Sequence, residues 1–165
     1  MNTAKPQNKV RSWAILTVSR DGVMLALTVK EILEDVKLEI FTLEKYAVSG
    51  KTRIIPGKLS DFWKTAMDRY DVLLCIMASG IVVRGIAPYL GHKSTDPAVL
   101  VMDSRGNYVI SLLSGHLGGA NAAAVMLAKR LGAKPVITTG TDVAGSMAVD
   151  VLAQKLGCAL VDFNQ

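Results

Sequence analysis

The chain has 165 residues and a mass of 17.6 kDa, enough for one domain with a proper core and too little for two of ordinary size. Half of its residues are hydrophobic, a fifth are charged and the mean hydropathy is +0.33, which excludes a disordered or low-complexity chain. Of the +5 net charge, Lys5, Lys9 and Arg11 carry three; the remainder, with 5% aromatics, lacks the clustered basic face and stacking partners of a nucleic-acid binder but suits a small anionic ligand held by a few placed cations.

Residues 1–11 read as a basic, flexible tail with no apolar segment or cleavage site for secretion. Residues 13–19 (WAILTVS) form a β-rich run, and Leu25, Val29, Ile32, Leu33 and Val36 recur at helical spacing within 23–36. A second strand is expected at 38–43, then a loop over 44–58. Leu59, Phe62, Trp63, Ala66, Met67 and Tyr70 mark a helix after the Pro56-Gly57 break. Residues 71–77 (DVLLCIM) are apolar after the first, as a central parallel strand covered on both faces requires.

A short helix is expected over 79–90, stopped by Pro88 or Gly91. Residues 98–102 and 108–113 read as strands joined by a turn short enough for a hairpin. The uncharged stretch 106–128 is long enough to cross a bilayer, but Asn107, Ser111, Ser114, His116, Asn121 and four glycines interrupt it, which argues against a membrane span. A helix follows from near Gly119 to Leu131 with Gly132 just past its end, then a strand at 136–138 and a helix at 144–156. The order predicts an α/β fold: an open, mostly parallel sheet with helices on both faces, a flavodoxin/Rossmann-like three-layer sandwich with one antiparallel hairpin. Cys75 and Cys158 form neither a disulfide framework nor a zinc pattern and read as reduced cytosolic thiols, so a cytoplasmic protein is expected.

Ligands of such sheets gather where strands lead into helix N-termini. Four junctions qualify: residues 19–22 (SRDG), 78–80 (ASG), 114–119 (SGHLGG) and 138–142 (TTGTD). All are small, hydroxylated or glycine-bearing, so backbone N–H groups can approach an anion. The same residues are what N-caps and tight turns require. At the third junction the two glycines opening a helix suggest a backbone passing close to something, a ligand or a packed neighbour. His116 there can act as acid or base near neutrality, with Ser114 as nucleophile, relay or donor; capping a helix is the alternative for the histidine. Arg84 and Lys93 can bind carboxylates, though Lys93 can equally pair with Asp96. His92 reads as a surface loop residue and no metal-ligand spacing is present.

Residues 80–88 (GIVVRGIAP), 93–99 (KSTDPAV), 112–121 (LLSGHLGGAN) and 132–139 (GAKPVITT) resemble the cobalamin biosynthesis protein CbiG family. The four blocks keep their order over about sixty residues, with Gly140 standing where the family usually has alanine. The resemblance implies a tail at 1–11, an N-terminal-type α/β domain at 12–142, and at 143–165 a helix and tail that begin the family's middle segment, with the family's C-terminal domain absent. It implies cobalt-precorrin-5A hydrolase activity on the anaerobic route to vitamin B12, with release of acetaldehyde, and no external cofactor, since the cobalt belongs to the substrate.

On that reading His116 activates water against the lactone carbonyl, Ser114 orients the water or relays a proton, and the amides of Gly118 and Gly119 hold the oxyanion. The expected binding set for the anionic cobalt-tetrapyrrole is Ser79, Gly80, Arg84, Lys93, Gly115, Gly118, Gly119, Asn121, Thr139 and Asp142, all on one rim of the sheet. The other expectation is a non-catalytic tetrapyrrole-binding module that needs a C-terminal domain or partner enzyme; a homo-oligomer is also allowed.

Overall fold

The computed structural model describes residues 11–92 and 94–140. Seven strands form one sheet: β1 (Ser12–Thr17), β2 (Lys37–Thr42), β3 (Arg53–Ile54), β4 (Val72–Ile76), β5 (Ala98–Met102), β6 (Tyr108–Leu113) and β7 (Lys134–Val136). Their spatial order is β3-β2-β1-β4-β5-β6-β7. Four helices connect them: α1 (Arg20–Ile32), α2 (Leu59–Arg69), α3 (Ser79–Ile86) and α4 (Ala120–Leu131). This is the expected three-layer α/β architecture. The expected helix at 144–156 and Asp142 lie outside the described residues.

Alternation along each strand sorts the core into two layers. Trp13, Ile15, Leu74, Leu100 and Met102 pack against Ala26 and Val29 of α1 and against Ala120, Ala124 and Leu127 of α4. On the other face Ala14, Leu16, Leu73, Cys75 and Val99 meet Phe62, Trp63 and Ala66 of α2 and Val82 and Ile86 of α3. All five residues of β4 are buried, as its unbroken apolar run requires. Burial pushes the Cys75 thiol upward, so it stays protonated.

Helix α1 begins at Arg20 rather than near residue 23, because the Ser19 hydroxyl accepts the Gly22 N–H at 3.1 Å and caps the first turn. The loop 44–58 contains a two-residue strand, β3, too short to show a period. Strand β7 starts two residues earlier than expected; Pro135 lacks a donor and reads as a breaker, but an edge strand tolerates it. No helix among the described residues is long and apolar enough to cross a membrane.

β5 and β6 pair antiparallel, with Val99 opposite Leu113 and Met102 opposite Val109, whereas β6 and β7 are parallel. β6 and β7 therefore run against the other five strands. The hairpin turn is held by Asp103, whose carboxylate accepts the Tyr108 N–H at 2.8 Å, the Arg105 N–H at 3.0 Å and Asn107 Nδ2 at 3.2 Å. Partial burial works to raise its pKa, but these bonds outweigh it and hold the carboxyl below the usual range.

A depressed folded-state pKa adds stability that is present above the unfolded pKa and is lost as pH falls through the folded value. Asp103→Ala is therefore expected to cost about 1–2 kcal/mol at pH 7, with the gap from the parent narrowing below about pH 4. Urea unfolding at both pH values checks this; a gap independent of pH would show that the charged carboxylate is not what holds the turn.

Candidate functional site

The reversal at β6 splits the four junctions between two rims. Residues 19–22 and 78–80 follow β1 and β4 and stand at the carboxyl ends of the five co-directed strands. Residues 114–119 and 138–140 follow β6 and β7, so they stand at the opposite rim, where β1, β4 and β5 begin. Strands of five or six residues put the rims roughly 17–20 Å apart. The expectation of one shared rim is thus corrected: a pairing direction, not the strand pattern, decides it.

At the carboxyl rim a crevice of about 430 Å³ opens between β1 and β4, where the connections diverge to either side. Ser19, Ser79 and Ser104 line it over an apolar floor that includes Ile76, Met77 and Val101. Ser79 is exposed at the start of α3, and the exposed Arg84 donates from Nη1 to the Gly80 carbonyl at 3.2 Å. Ser79, Gly80 and Arg84 are therefore together, and away from His116.

At the amino rim the 114–119 turn is built on backbone constraints. Ser114 has φ +57°, the only positive value for a non-glycine among the described residues, a conformation that costs on the order of 1 kcal/mol or more. Its Oγ is buried and has no hydrogen-bond partner among the described residues. A Cβ on Gly118 would lie 2.3 Å from Ser114 Cβ and 2.6 Å from its carbonyl oxygen, and one on Gly115 would lie 2.7 Å from Asn121 Oδ1. Gly119, at φ +80°, would place a Cβ 2.6 Å from Arg11 Nη1. The close approach that the glycines signalled is to the protein itself.

The same turn closes its own donors. Gly119 N–H bonds the His116 carbonyl at 2.9 Å, Ala120 N–H the Ser114 carbonyl at 3.1 Å, and Asn121 N–H the Gly115 carbonyl at 3.0 Å. Gly119 is thus corrected as an oxyanion donor, because its amide already has an acceptor. Asn121, 8% exposed, accepts from Ser111 Oγ at 2.6 Å and donates through Nδ2 to Thr139 Oγ1 at 2.9 Å. Asn121 and Thr139 are brought together as a part-buried brace between β6, α4 and the segment after β7, with both amide atoms of Asn121 engaged within the protein. His116 is half-buried.

The 91–97 loop, which leads into β5, shares this rim; Lys93 lies outside the described residues. Asp96 accepts the Gly91 N–H at 3.0 and 3.2 Å, and His92 Nδ1 lies 2.8 Å from Ser94 Oγ and accepts the Ser94 N–H at 3.3 Å. Because a backbone amide only donates, the neutral His92 ring carries its proton on Nε2. Sequence reasoning missed Arg11, assigned to the tail, and Ser111, assigned only to a strand. Arg11 Nη2 donates to the Gly118 carbonyl and, at 3.4 Å, to the Asp71 carbonyl. Nothing local marks a contact across 107 residues.

Comparison with known proteins gives consistent results. The family model described as "Cobalamin synthesis G N-terminal" matches residues 61–142. A cobalt-precorrin-5A hydrolase of Salmonella typhimurium is 44% identical over 99% of this chain and 44% of its own length. A protein of the same name from Priestia megaterium is 34% identical over 88% of this chain and 39% of its own length. The crystal structure of a cobalamin biosynthesis protein G homolog from Sulfolobus solfataricus superposes with a TM-score of 0.63 at 27% identity, covering 94% of this chain and 43% of that one. The chain spans under half the length of these relatives.

Gly118→Ala should force a methyl group into Ser114 and cost about 2 kcal/mol or more, whereas Gly132→Ala, with open space around its Cβ position, should lose only about 1 kcal/mol for its left-handed backbone. Chemical denaturation of both variants checks this. Equal losses would show that the turn does not close on Ser114.

Proposed function

The chain belongs to the cobalamin synthesis G N-terminal family, and from that premise we propose that it acts in the cytoplasm on cobalt-precorrin-5A. The reaction hydrolyses the δ-lactone of ring A and releases the C20 carbon with its methyl group as acetaldehyde, leaving cobalt-precorrin-5B. The cobalt enters with the substrate. What carries this reading is the Ser114–His116 pair at the amino rim, a histidine two residues from a strained serine whose buried hydroxyl has no partner among the described residues, in a chain 44% identical to a named hydrolase.

In the proposed mechanism the His116 imidazole accepts a proton from a water that attacks the lactone carbonyl. The Ser114 hydroxyl orients that water or passes the proton on. Lys93 is assigned the binding of a peripheral carboxylate as a point charge. With the Gly119 amide engaged by His116, the oxyanion is stabilised by other donors of this rim. Ser79, Gly80 and Arg84 stand a strand's length away, so a macrocycle seated over the 114–119 turn does not reach them.

A second reading has its own support. The closing of the turn's amides on its own carbonyls favours a tetrapyrrole-binding module that needs a C-terminal domain or another pathway enzyme for activity. Anaerobic incubation with cobalt-precorrin-5A, assayed for acetaldehyde and for complex formation, separates the two; binding without acetaldehyde assigns the module. For the hydrolase, His116→Ala is expected to lower turnover by about 100-fold or more with binding largely kept; unimpaired turnover would remove His116 from the mechanism. Arg84→Ala and Ser79→Ala are expected to stay within about twofold of the parent in acetaldehyde release, since they touch neither ground nor transition state. A large loss in either would place the substrate at the carboxyl-end crevice instead.

A further inference from the structure

We propose that Arg11 is a positioning residue for the 114–119 turn, holding its last two glycines against the amino ends of β1 and β4; this rests on the reading of that turn as the reacting site. The guanidinium donates from Nη2 to the Gly118 carbonyl and to the Asp71 carbonyl. Asp71 is itself a fixed point. Its Oδ2 accepts the Ser12 N–H and the Ser12 hydroxyl, each at 2.9 Å, and its carbonyl accepts the Ala98 N–H at 3.0 Å. One carbonyl oxygen thus joins the starts of β4 and β5 to the side chain that precedes β1.

β6 lies three strands from β1 in the sheet, about 14 Å at the usual spacing, so the turn that leaves β6 has no ladder contact with β1. Arg11 spans that gap along the rim. Gly119 leaves room for it: the guanidinium lies where a side chain at Gly119 would begin. The peptide that Arg11 grips through the Gly118 carbonyl carries the Gly119 N–H, the donor that bonds the His116 carbonyl at 2.9 Å. Orienting that peptide plane orients the backbone of His116. A planar fork with several donors can serve two carbonyls at once; a lysine ammonium offers a compact point with less reach between them.

The test uses the full chain with Arg11→Ala and Arg11→Lys, read by acetaldehyde kinetics and by amide hydrogen exchange. Arg11→Ala is expected to lower kcat by about tenfold or more with KM within about twofold, and to speed exchange at the Gly119 and Ala120 amides by about tenfold, while strand amides keep their protection. Arg11→Lys should restore part of both. Turn amides as protected as in the parent, or a loss of protection across the whole sheet, overturns the proposal; so does a raised KM at unchanged kcat and exchange, which would make Arg11 a ligand for a substrate carboxylate. If the parent binds the macrocycle without releasing acetaldehyde, the hydrolase reading fails, and the exchange measurement still decides the role of Arg11.

Discussion

The antiparallel pairing of β5 with β6 is the constraint on which the arrangement of this molecule depends. Without it all seven strands would run one way and every strand-to-helix junction would open on a single crevice. With it, the hairpin held by Asp103 sends β6 back toward the amino ends of its neighbours, and β7, parallel to β6, follows. Two rims result, each with its own set of small, hydroxylated residues. The crevice between β1 and β4 keeps the position usual for doubly wound sheets, while the serine, histidine and glycines of the 114–119 turn are carried to the other end.

The turn itself shows how a strained backbone is held. A left-handed serine, and the entropy of ordering three glycines beside it, would be unfavourable alone. They are opposed by three backbone hydrogen bonds within 114–121, by the Ser111–Asn121–Thr139 chain from one side and by Arg11 from the other. The burial of Ala120, Ala124, Leu127 and Ala128 beneath α4 supports them further. Strain held by surrounding structure is a common property of reacting sites, and here it is concentrated at the backbone of Ser114.

Separation of the rims also restricts the chemistry. On the proposed function, a flat anionic macrocycle lying over His116 would leave the crevice with Ser19, Ser79 and Ser104 unused. The N-terminus of α4 contributes little to anion binding, because its first amides already bond the carbonyls of Ser114 and Gly115.

The sequence alone determined the layer architecture and most of the elements. The apolar run 72–76, the helical spacing of Phe62, Trp63, Ala66 and Met67, the strand limits at 98–102 and 108–113 and the stop at Gly132 all rest on local periodicity and backbone preference, which adjacent residues carry. It also marked Ser114, Gly118 and Gly119 as unusual, since glycines at the head of a helix are costly wherever the chain goes. Only the tertiary structure decided what they approach and what shares their rim. The reversal of β6 was legible in the short hairpin turn, but the parallel addition of β7 to it, the contact of Arg11 with Gly118 and the bond from Asn121 to Thr139 join residues farther apart in the chain, and no periodicity encodes such contacts. They follow from how the packed layers bring distant segments together, which becomes fixed only when the whole sheet is closed.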